Sequence, residues 1–451
     1  MKLIWTEDMN HMKKMFKRLS TVLLIFIIII SNIGLSAYGE EMFAYPAEPE
    51  VTARGAILID ADTGAILYEK DAYSMYYPAS ITKIMTCLLA IENLSLDQQI
   101  TFTNEVFETL PWDASLLGVQ NGETLTVKDC LYGLMLRSGN EVAVALAISI
   151  SGSEEEFGKL MTERAKEMGA LNTVFTNASG LYQDTHYTTP YDMAVITREA
   201  IKNGTFCEIW GAESYEMSAT NLSEPYTIYS RHNMMLTSSS WYYEYAEGGK
   251  TGYEDLAQRT LVTHAKKDGM SLISVVMFDG SDEAYIDTET LLDFGFTNFK
   301  KVRVLDEENR FGANDGFVNI PDTDYVTIPK NMLVSDLEYE LVYNEDNSDG
   351  NIARIKYSFS GHYLGESKLM FVEVEKSDEG IVTPVKKVEN KEEKVYIDIE
   401  HIIAAIVIVV IIILIGIYML KTKTERKVKR DRKRLFKEVS RKYKIKKRRK
   451  L

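Results

Sequence analysis

Pro78-Ala79-Ser80-Ile81-Thr82-Lys83-Ile84-Met85-Thr86 opens an apolar run that continues to about Asn93. The pattern predicts a helix with a serine and a lysine three residues apart in its first turn. Residues at that spacing share a face, so the Ser80 hydroxyl and the Lys83 amine can touch. A serine hydroxyl is a weak nucleophile until a base takes its proton. A lysine amine serves as that base when burial or nearby positive charge lowers its pKa. A helix start also leaves free backbone N–H groups, and that of Ser80 is a candidate to hold a developing oxyanion.

Upstream, Gly55-Ala-Ile-Leu-Ile-Asp60 and Ala65-Ile-Leu-Tyr-Glu69 flank Ala61-Asp62-Thr63-Gly64, the pattern of a β-hairpin. Downstream, Thr126-Val-Lys-Asp129 reads as a helix cap, and Leu131–Ile150 is helical in pattern but broken by Ser138-Gly139-Asn140. A polar triplet inside an apolar run adds nothing to packing. Its use is to aim the Ser138 hydroxyl and the Asn140 amide into a cleft, Ser138 to relay a proton to a leaving amine and Asn140 to bond a substrate amide. Leu256–Ala265 and Ser271–Phe278 predict two strands turned at Asp268-Gly269, with Lys250-Thr251-Gly252 just before them. A cation beside a hydroxyl suits a terminal carboxylate, and Gly252 lets a substrate backbone approach closely. Helices lying between a hairpin and C-terminal strands predict one mixed α/β unit over 45–300. Alternating patterns near Tyr325–Ile328, Glu338–Tyr343, Ile352–Phe359 and Leu369–Val374 predict a small β domain over 301–375.

Charge is distributed unevenly. The net charge of the 451 residues is -15, yet 421–451 holds 18 Lys or Arg against three acids, so the middle of the chain is strongly acidic. Nucleic acid is thereby excluded as a ligand of that middle, because phosphate binding needs clustered cations. Cys87 and Cys130 sit in apolar helical patterns, and with Cys207 they make an odd count, against a disulfide framework. The six histidines form no metal motif, and neither a metal nor another cofactor is expected. Gly249-Lys250-Thr251 ends like a phosphate-binding loop, but Glu244 stands where that motif needs glycine.

Each three-residue motif is weak alone. Their order, spacing and settings together resemble the low-molecular-mass penicillin-binding proteins of the D-alanyl-D-alanine carboxypeptidase family. Gly55–Asp71 looks like that family's opening hairpin, Leu136-Arg137-Ser138-Gly139-Asn140-Glu141 like its second motif, and Asn177-Ala-Ser-Gly180-Leu with His186-Tyr-Thr-Thr-Pro-Tyr-Asp192 like the segment before its third. Leu291-Leu-Asp-Phe-Gly-Phe296 looks like the end of its catalytic domain. The resemblance implies a β-lactamase-like, penicillin-binding transpeptidase fold of the α/β class with an attached β domain. It implies hydrolysis of the terminal D-alanine from peptidoglycan stem pentapeptides, and covalent inhibition by β-lactam antibiotics. Carried over, Ser80 is the nucleophile, Lys83 the general base and Ser138 part of the proton path. Asn140, Lys250, Thr251, Gly252 and Tyr253 bind substrate, the backbone N–H of Tyr253 completing the oxyanion site. Glu254, Ala257-Gln258 and Ser271 depart from the family pattern. Ser271 stands where many members carry an arginine that assists carboxylate binding, and Arg231 and Arg259 are candidates to compensate. A β-lactamase would need a deacylating Glu, and Glu155 and Glu156 lie in no recognisable loop for one. A silent wall-binding scaffold is disfavoured by the intact Ser80, Lys83, Ser138 and Lys250. A D,D-endopeptidase or weak transpeptidase shares the acyl-enzyme and stays open.

The two ends carry targeting signals. Lys13, Lys14, Lys17 and Arg18 precede apolar Val22–Ile30 and then small Ala37 and Gly39, which predicts a signal peptide over 1–39. Ile402–Leu420 is 19 residues without a charge, about 28 Å as a helix, which matches a bilayer core. With no polar face it is expected to span the membrane, the basic 421–451 staying in the cytoplasm. Lys376–Asp398, charged and poor in aromatics, is expected to be a solvated tether. External protease on wall-stripped cells is therefore expected to release a penicillin-reactive fragment while a C-terminal tag stays protected; loss of the tag would show this topology to be wrong.

Overall fold

The computed structural model describes residues 44–311, 318–343 and 351–371, all within the first of two compact units, Met1–Pro384 and Val385–Leu451. The expected signal peptide, tether, membrane span and basic tail lie outside the described residues. Among the described residues no helix is long and apolar enough to cross a membrane.

β1 (Gly55–Asp60) and β2 (Ile66–Lys70) form the hairpin, with Gly64 at φ +75° in its turn. A 3-10 turn, Ala79–Thr82, then feeds α1 (Lys83–Asn93), so the serine lies just ahead of the α-helix and the lysine opens it. β3 (Gln99–Thr101), α2 (Asn104–Glu108) and β4 (Thr124–Thr126) lead to α3 (Val127–Leu136). Thr126 caps α3, its Oγ1 accepting the Asp129 N–H at 3.0 Å. The polar triplet breaks the run where the pattern predicts, and α4 (Asn140–Ser151) resumes it. α5 (Glu154–Glu167) starts on a Ser153 cap, and α6 (Pro190–Ala200) on a Thr189 cap with proline in its first turn. α7 (Gly204–Trp210) and the ribbon β5 (Ser214–Met217) with β6 (Tyr226–Tyr229) follow.

β7 (Ala246–Glu254), β8 (Gln258–Lys267) and β9 (Met270–Asp279) then complete a five-stranded antiparallel sheet in the order β2-β1-β9-β8-β7. Here the structure adds to the sequence reading: Lys250 and Thr251 precede the β8–β9 pair as expected, but they lie inside a third strand, β7. Three glycines hide its alternation, and neighbouring groups account for each. A Cβ on Gly248 would sit 1.6 Å from the Trp210 ring, one on Gly249 2.0 Å from His232 Nε2, and one on Gly252 2.3 Å from Thr260 Oγ1.

The sheet is buried on both faces, and side-chain alternation sorts its residues. Ile57, Ile59, Val262, Ile273 and Val275 pack into the core built with α1, α3, α4 and α6. Ala56, Leu58, Leu261, Leu272 and Val276 pack instead against Leu291 and Leu292 of α8 (Glu283–Asn298). Cys87 and Cys130 are buried free thiols.

Beyond α8, β10 (Phe299–Arg303), α9 (Val304–Glu307), β11 (Val318–Asn319), β12 (Tyr325–Pro329), β13 (Glu338–Tyr343), β14 (Asn351–Phe359) and β15 (His362–Phe371) build two smaller sheets, β10-β12 and β11-β15-β14-β13. Their own core holds Val326, Ile328, Ala353, Ile355, Tyr357 and Leu364. Buried Asp60, at the end of β1, ties this layer to the main sheet: its carboxylate accepts the Asp62 and Thr63 N–H groups and, at 2.9 Å, the Thr327 hydroxyl. Thr327→Val keeps the shape but strips a donor from a buried carboxylate, and should destabilise by about 1–3 kcal/mol. Urea unfolding reads this as a lower midpoint at unchanged slope; an unchanged midpoint would mean the bond adds nothing.

Candidate active site

Ser80, Lys83, Ser138, Asn140, Lys250 and Ser179 converge from segments far apart in sequence. Lys83 is fully buried, with Nζ 3.0 Å from Ser80 Oγ, 2.6 Å from Asn140 Oδ1 and 2.6 Å from the Ser179 carbonyl. Lys250, 2% exposed, donates from Nζ to Ser138 Oγ at 3.1 Å and to its neighbour Thr251 O at 2.8 Å. The backbone is left-handed at Ala79 (φ +51°) and Ser138 (φ +60°), unusual for residues with a Cβ and strained here beside both hydroxyls.

Several contacts hold the serine turn against β7 and the 177–180 loop. Thr260 Oγ1 donates to Pro78 O at 2.9 Å, and a Cβ on Gly252 would approach Ser80 N to 2.9 Å. Gly252 thus lies against the serine N–H, and Tyr253 follows it, 51% exposed. Gly180, at φ +85°, presses on Ala79, where a Cβ would fall 1.8 Å from the carbonyl oxygen. Asn177 Oδ1 shapes that loop by accepting the Ser179 and Gly180 N–H groups at 3.2 and 2.7 Å. Thr86 Oγ1 donates to Ala178 O at 2.6 Å, and Thr82 Oγ1 lies 2.9 Å from His186 Nε2.

All eight residues singled out from the sequence therefore sit on two walls of one cleft, Ser80, Lys83, Ser138 and Asn140 on the helical side and Lys250–Tyr253 on the strand. Residues 42–281 match the D-alanyl-D-alanine carboxypeptidase family. The chain belongs to that family. Among curated relatives it is 36% identical over 290 residues to the D-alanyl-D-alanine carboxypeptidase DacF of Bacillus subtilis, covering 63% of this chain and 72% of that one. Among solved structures it is similar to a D-alanyl-D-alanine carboxypeptidase from Mycobacterium tuberculosis (TM-score 0.51, 28% identity, 56% of this chain and 93% of that one). It is also similar to a Streptomyces DD-transpeptidase (TM-score 0.52, 28% identity, 56% of this chain and 99% of that one). The catalytic unit has the α/β fold of the penicillin-binding and β-lactamase-like proteins.

Sequence reasoning left the Ser179 carbonyl without a role. Asn177-Ala-Ser-Gly180 was visible only as a resemblance, since a backbone acceptor leaves no side-chain signature. The family departures also have places. Ser271 is buried and bonded to His264 Nε2 at 2.9 Å, away from the cleft's polar groups. Gln258 takes a left-handed turn, φ +52°, between β7 and β8. Glu254 borders a recess of about 420 Å³ with Glu154, Ser179 and Tyr182. Glu155 and Glu156 pair with Lys159 at 3.0 and 2.7 Å on the exposed start of α5.

Burial governs protonation in this family member. It pushes Lys83 well below its ordinary value, and the positive charge of Lys250 adds to the effect while Glu141 opposes it. The His186 imidazole falls to about 3, so it is neutral. Lys250 is lowered to about 7 from 10.5, chiefly by burial and then by Arg231. Between those two values the unfolded chain binds the proton that the folded protein has released, so stability rises with pH across that window and is lost as pH falls through about 7. Lys250→Met should remove this slope. Urea midpoints compared near pH 6 and near pH 9 are expected to show wild type gaining on the variant at the higher value. A difference that does not vary with pH would contradict a depressed Lys250.

Proposed function

We propose that this enzyme removes the terminal D-alanine from peptidoglycan pentapeptides through an acyl-enzyme on Ser80. The observation that carries the reading is the hydrogen-bond set of Lys83. A neutral amine has two protons and one lone pair. Asn140 Oδ1 and Ser179 O accept the two protons, and the lone pair faces Ser80 Oγ at 3.0 Å. The group is thus oriented to receive the serine proton as Oγ attacks the carbonyl carbon of the penultimate D-alanine. The carbonyl oxygen, now an oxyanion, meets the N–H groups of Ser80 and Tyr253. Ser138, linked to Lys250, passes a proton to the departing amine nitrogen as the C–N bond breaks. Lys250 and Thr251 hold the terminal carboxylate, and Asn140 bonds the acyl amide. Water then attacks the ester, and Ser80 regains its proton. A β-lactam presents a strained amide and a carboxylate in similar positions, and acylates the same oxygen.

A second acceptor is supported by the likeness to a DD-transpeptidase: an amine replaces water in the last step, giving transfer instead of hydrolysis. We also propose that a signal peptide exports the chain and that 402–420 anchors it, catalytic domain outside and 421–451 within. The support is the charge-free apolar run followed at once by basic residues. The charged tether 376–398 would then lift the cleft toward the wall.

A fluorescent penicillin should label the folded protein once, on the peptide containing Ser80. Lys83→Ala should slow that labelling by about 10²–10⁴-fold, the usual worth of a general base, while leaving the fold intact. Incubation with a peptide ending in D-Ala-D-Ala should yield free D-alanine, and added amine acceptor reports any transfer. Labelling at another residue, or a Lys83→Ala rate equal to wild type, would reject the assignments.

A further inference from the structure

A second recess lies away from the cleft, where the β14–β15 hairpin faces the catalytic unit. Its volume is about 570 Å³, and none of the eight cleft residues lines it. One face of α6 forms the floor, with Tyr191 and Arg198 two turns apart on it. The turn of the first hairpin, at Thr63 and Gly64, forms one side. Arg354 and Lys356, two apart on β14 and so on one face, form the other with Tyr363 and Glu366 of β15. Thr63 Oγ1 lies 2.9 Å from Thr327 Oγ1, and Lys301 Nζ pairs with Asp62 at 2.5 Å, so the β layer is tied to the hairpin and the recess is preformed.

Three cations meet there. Arg198 donates from Nε to Ala61 O at 2.7 Å and from Nη2 to Asp62 O at 2.8 Å, which fixes its fork. Its Nη1 makes no hydrogen bond among the described residues and lies beside Gly64, where a Cβ would fall 2.9 Å away. Arg354 Nη1 pairs with Glu366 at 3.3 Å. Lys356 stands opposite Glu366 in the strand register, yet its ammonium has no hydrogen bond or ion pair among the described residues. The other acid of the lining, Asp192, is buried, and its Oδ2 accepts the Asn172 N–H and the Thr173 hydroxyl at 2.7 Å each. Glu366 is thus engaged by Arg354, which leaves Arg198 and Lys356 to meet an anionic group.

The remaining surface is aromatic. Tyr73 is 51% exposed and its ring lies 5.2 Å from that of Tyr191. The Tyr363 hydroxyl has no hydrogen bond among the described residues, and burial raises its pKa, so it stays a protonated donor. Ring faces bordered by donors match the C–H faces and hydroxyls of a sugar, and the volume suits one or two sugar rings.

We propose that this recess is a second, non-catalytic binding site for an acidic sugar, its anionic group held by Arg198 and Lys356 and its ring against Tyr73 and Tyr191. Only the source of the sugar, the wall glycan that carries the stem peptides, rests on the carboxypeptidase reading above.

The test is calorimetric titration of the full-length, detergent-solubilised enzyme. The probes are the disaccharide of N-acetylglucosamine and N-acetylmuramic acid with its carboxylate free, neutral chitobiose, acetate and an acidic hexapeptide. Saturable 1:1 binding of the acidic disaccharide is expected, at least about 10-fold tighter than that of the other three. Lys356→Gln should weaken it by roughly 10- to 100-fold, the worth of a charge-assisted hydrogen bond. Tyr73→Ala should weaken both disaccharides by about 2- to 10-fold. Both variants should react with fluorescent penicillin at the wild-type rate, which shows them folded, and Ser80→Ala should bind the disaccharide as wild type does. No saturable binding, equal affinity for chitobiose, an unchanged affinity in Lys356→Gln, tighter binding of the peptide, or loss of binding in Ser80→Ala would overturn the proposal. A wild type that binds the disaccharide but releases no D-alanine from a peptide ending in D-Ala-D-Ala would support the site and reject the carboxypeptidase reading.

Discussion

One buried amine organises this molecule's chemistry. Lys83 Nζ has no access to water, and a buried polar group without partners is destabilising by several kcal/mol on the order of a lost hydrogen bond or more. Its partners come from the serine turn, from the start of α4 and from the 177–180 loop, up to 96 residues from it in sequence. Those segments must meet for the amine to be satisfied. The requirement that stabilises the fold locally is thus the same one that brings the amine to the Ser80 hydroxyl. Flanking contacts follow the same seam: Thr86 to Ala178, Thr82 to His186, and Gly180 against Ala79. A side chain at Gly180 would separate the loop from the turn and leave Lys83 short of an acceptor.

The opposite wall is a strand at the end of its sheet. β7 pairs with β8 on one side and, among the described residues, has no partner strand on the other. Exposed sheet edges are places where an extended peptide can add as another strand. Lys250 faces Ser138 across the gap, and Gly252 lies close to Ser80 N. The cleft is therefore the space between a sheet edge and a helix start. The glycines that bring β7 against Trp210, His232 and Thr260 set its width.

The elements most readable from sequence were those whose signals are local. The hairpin announced itself by alternation and a Gly-containing turn, α3 by its Thr126 cap, and the break before α4 by three polar residues in an apolar run. Ser80 and Lys83 could be paired because three residues on one helical turn fix their separation. β7 was missed as a strand because Gly248, Gly249 and Gly252 erase the period-two pattern that marks one. The reason for those glycines lies in side chains that approach only in the folded state. The Ser179 carbonyl was invisible for a different reason, since any residue carries one. Arg231 could be nominated as a spare cation, but its bond to Ser115 and the contact of its neighbour His232 with Gly249 belong to tertiary structure.

Electrostatics shows why so acidic a chain keeps several cations at one place. Burial lowers the proton affinity of Lys83 and Lys250 most, and neighbouring cations add to it: Lys250 and Arg231 at Lys83, and Arg231 at Lys250. That arrangement lowers the proton affinity of Lys83, as a base requires. Burial first, and then Arg231, lowers Lys250 to about 7. The two lysines, similar in burial, divide their roles by which partners they face. Lys83 faces neutral acceptors and the serine, and Lys250 faces the hydroxyl of Ser138 with a guanidinium nearby.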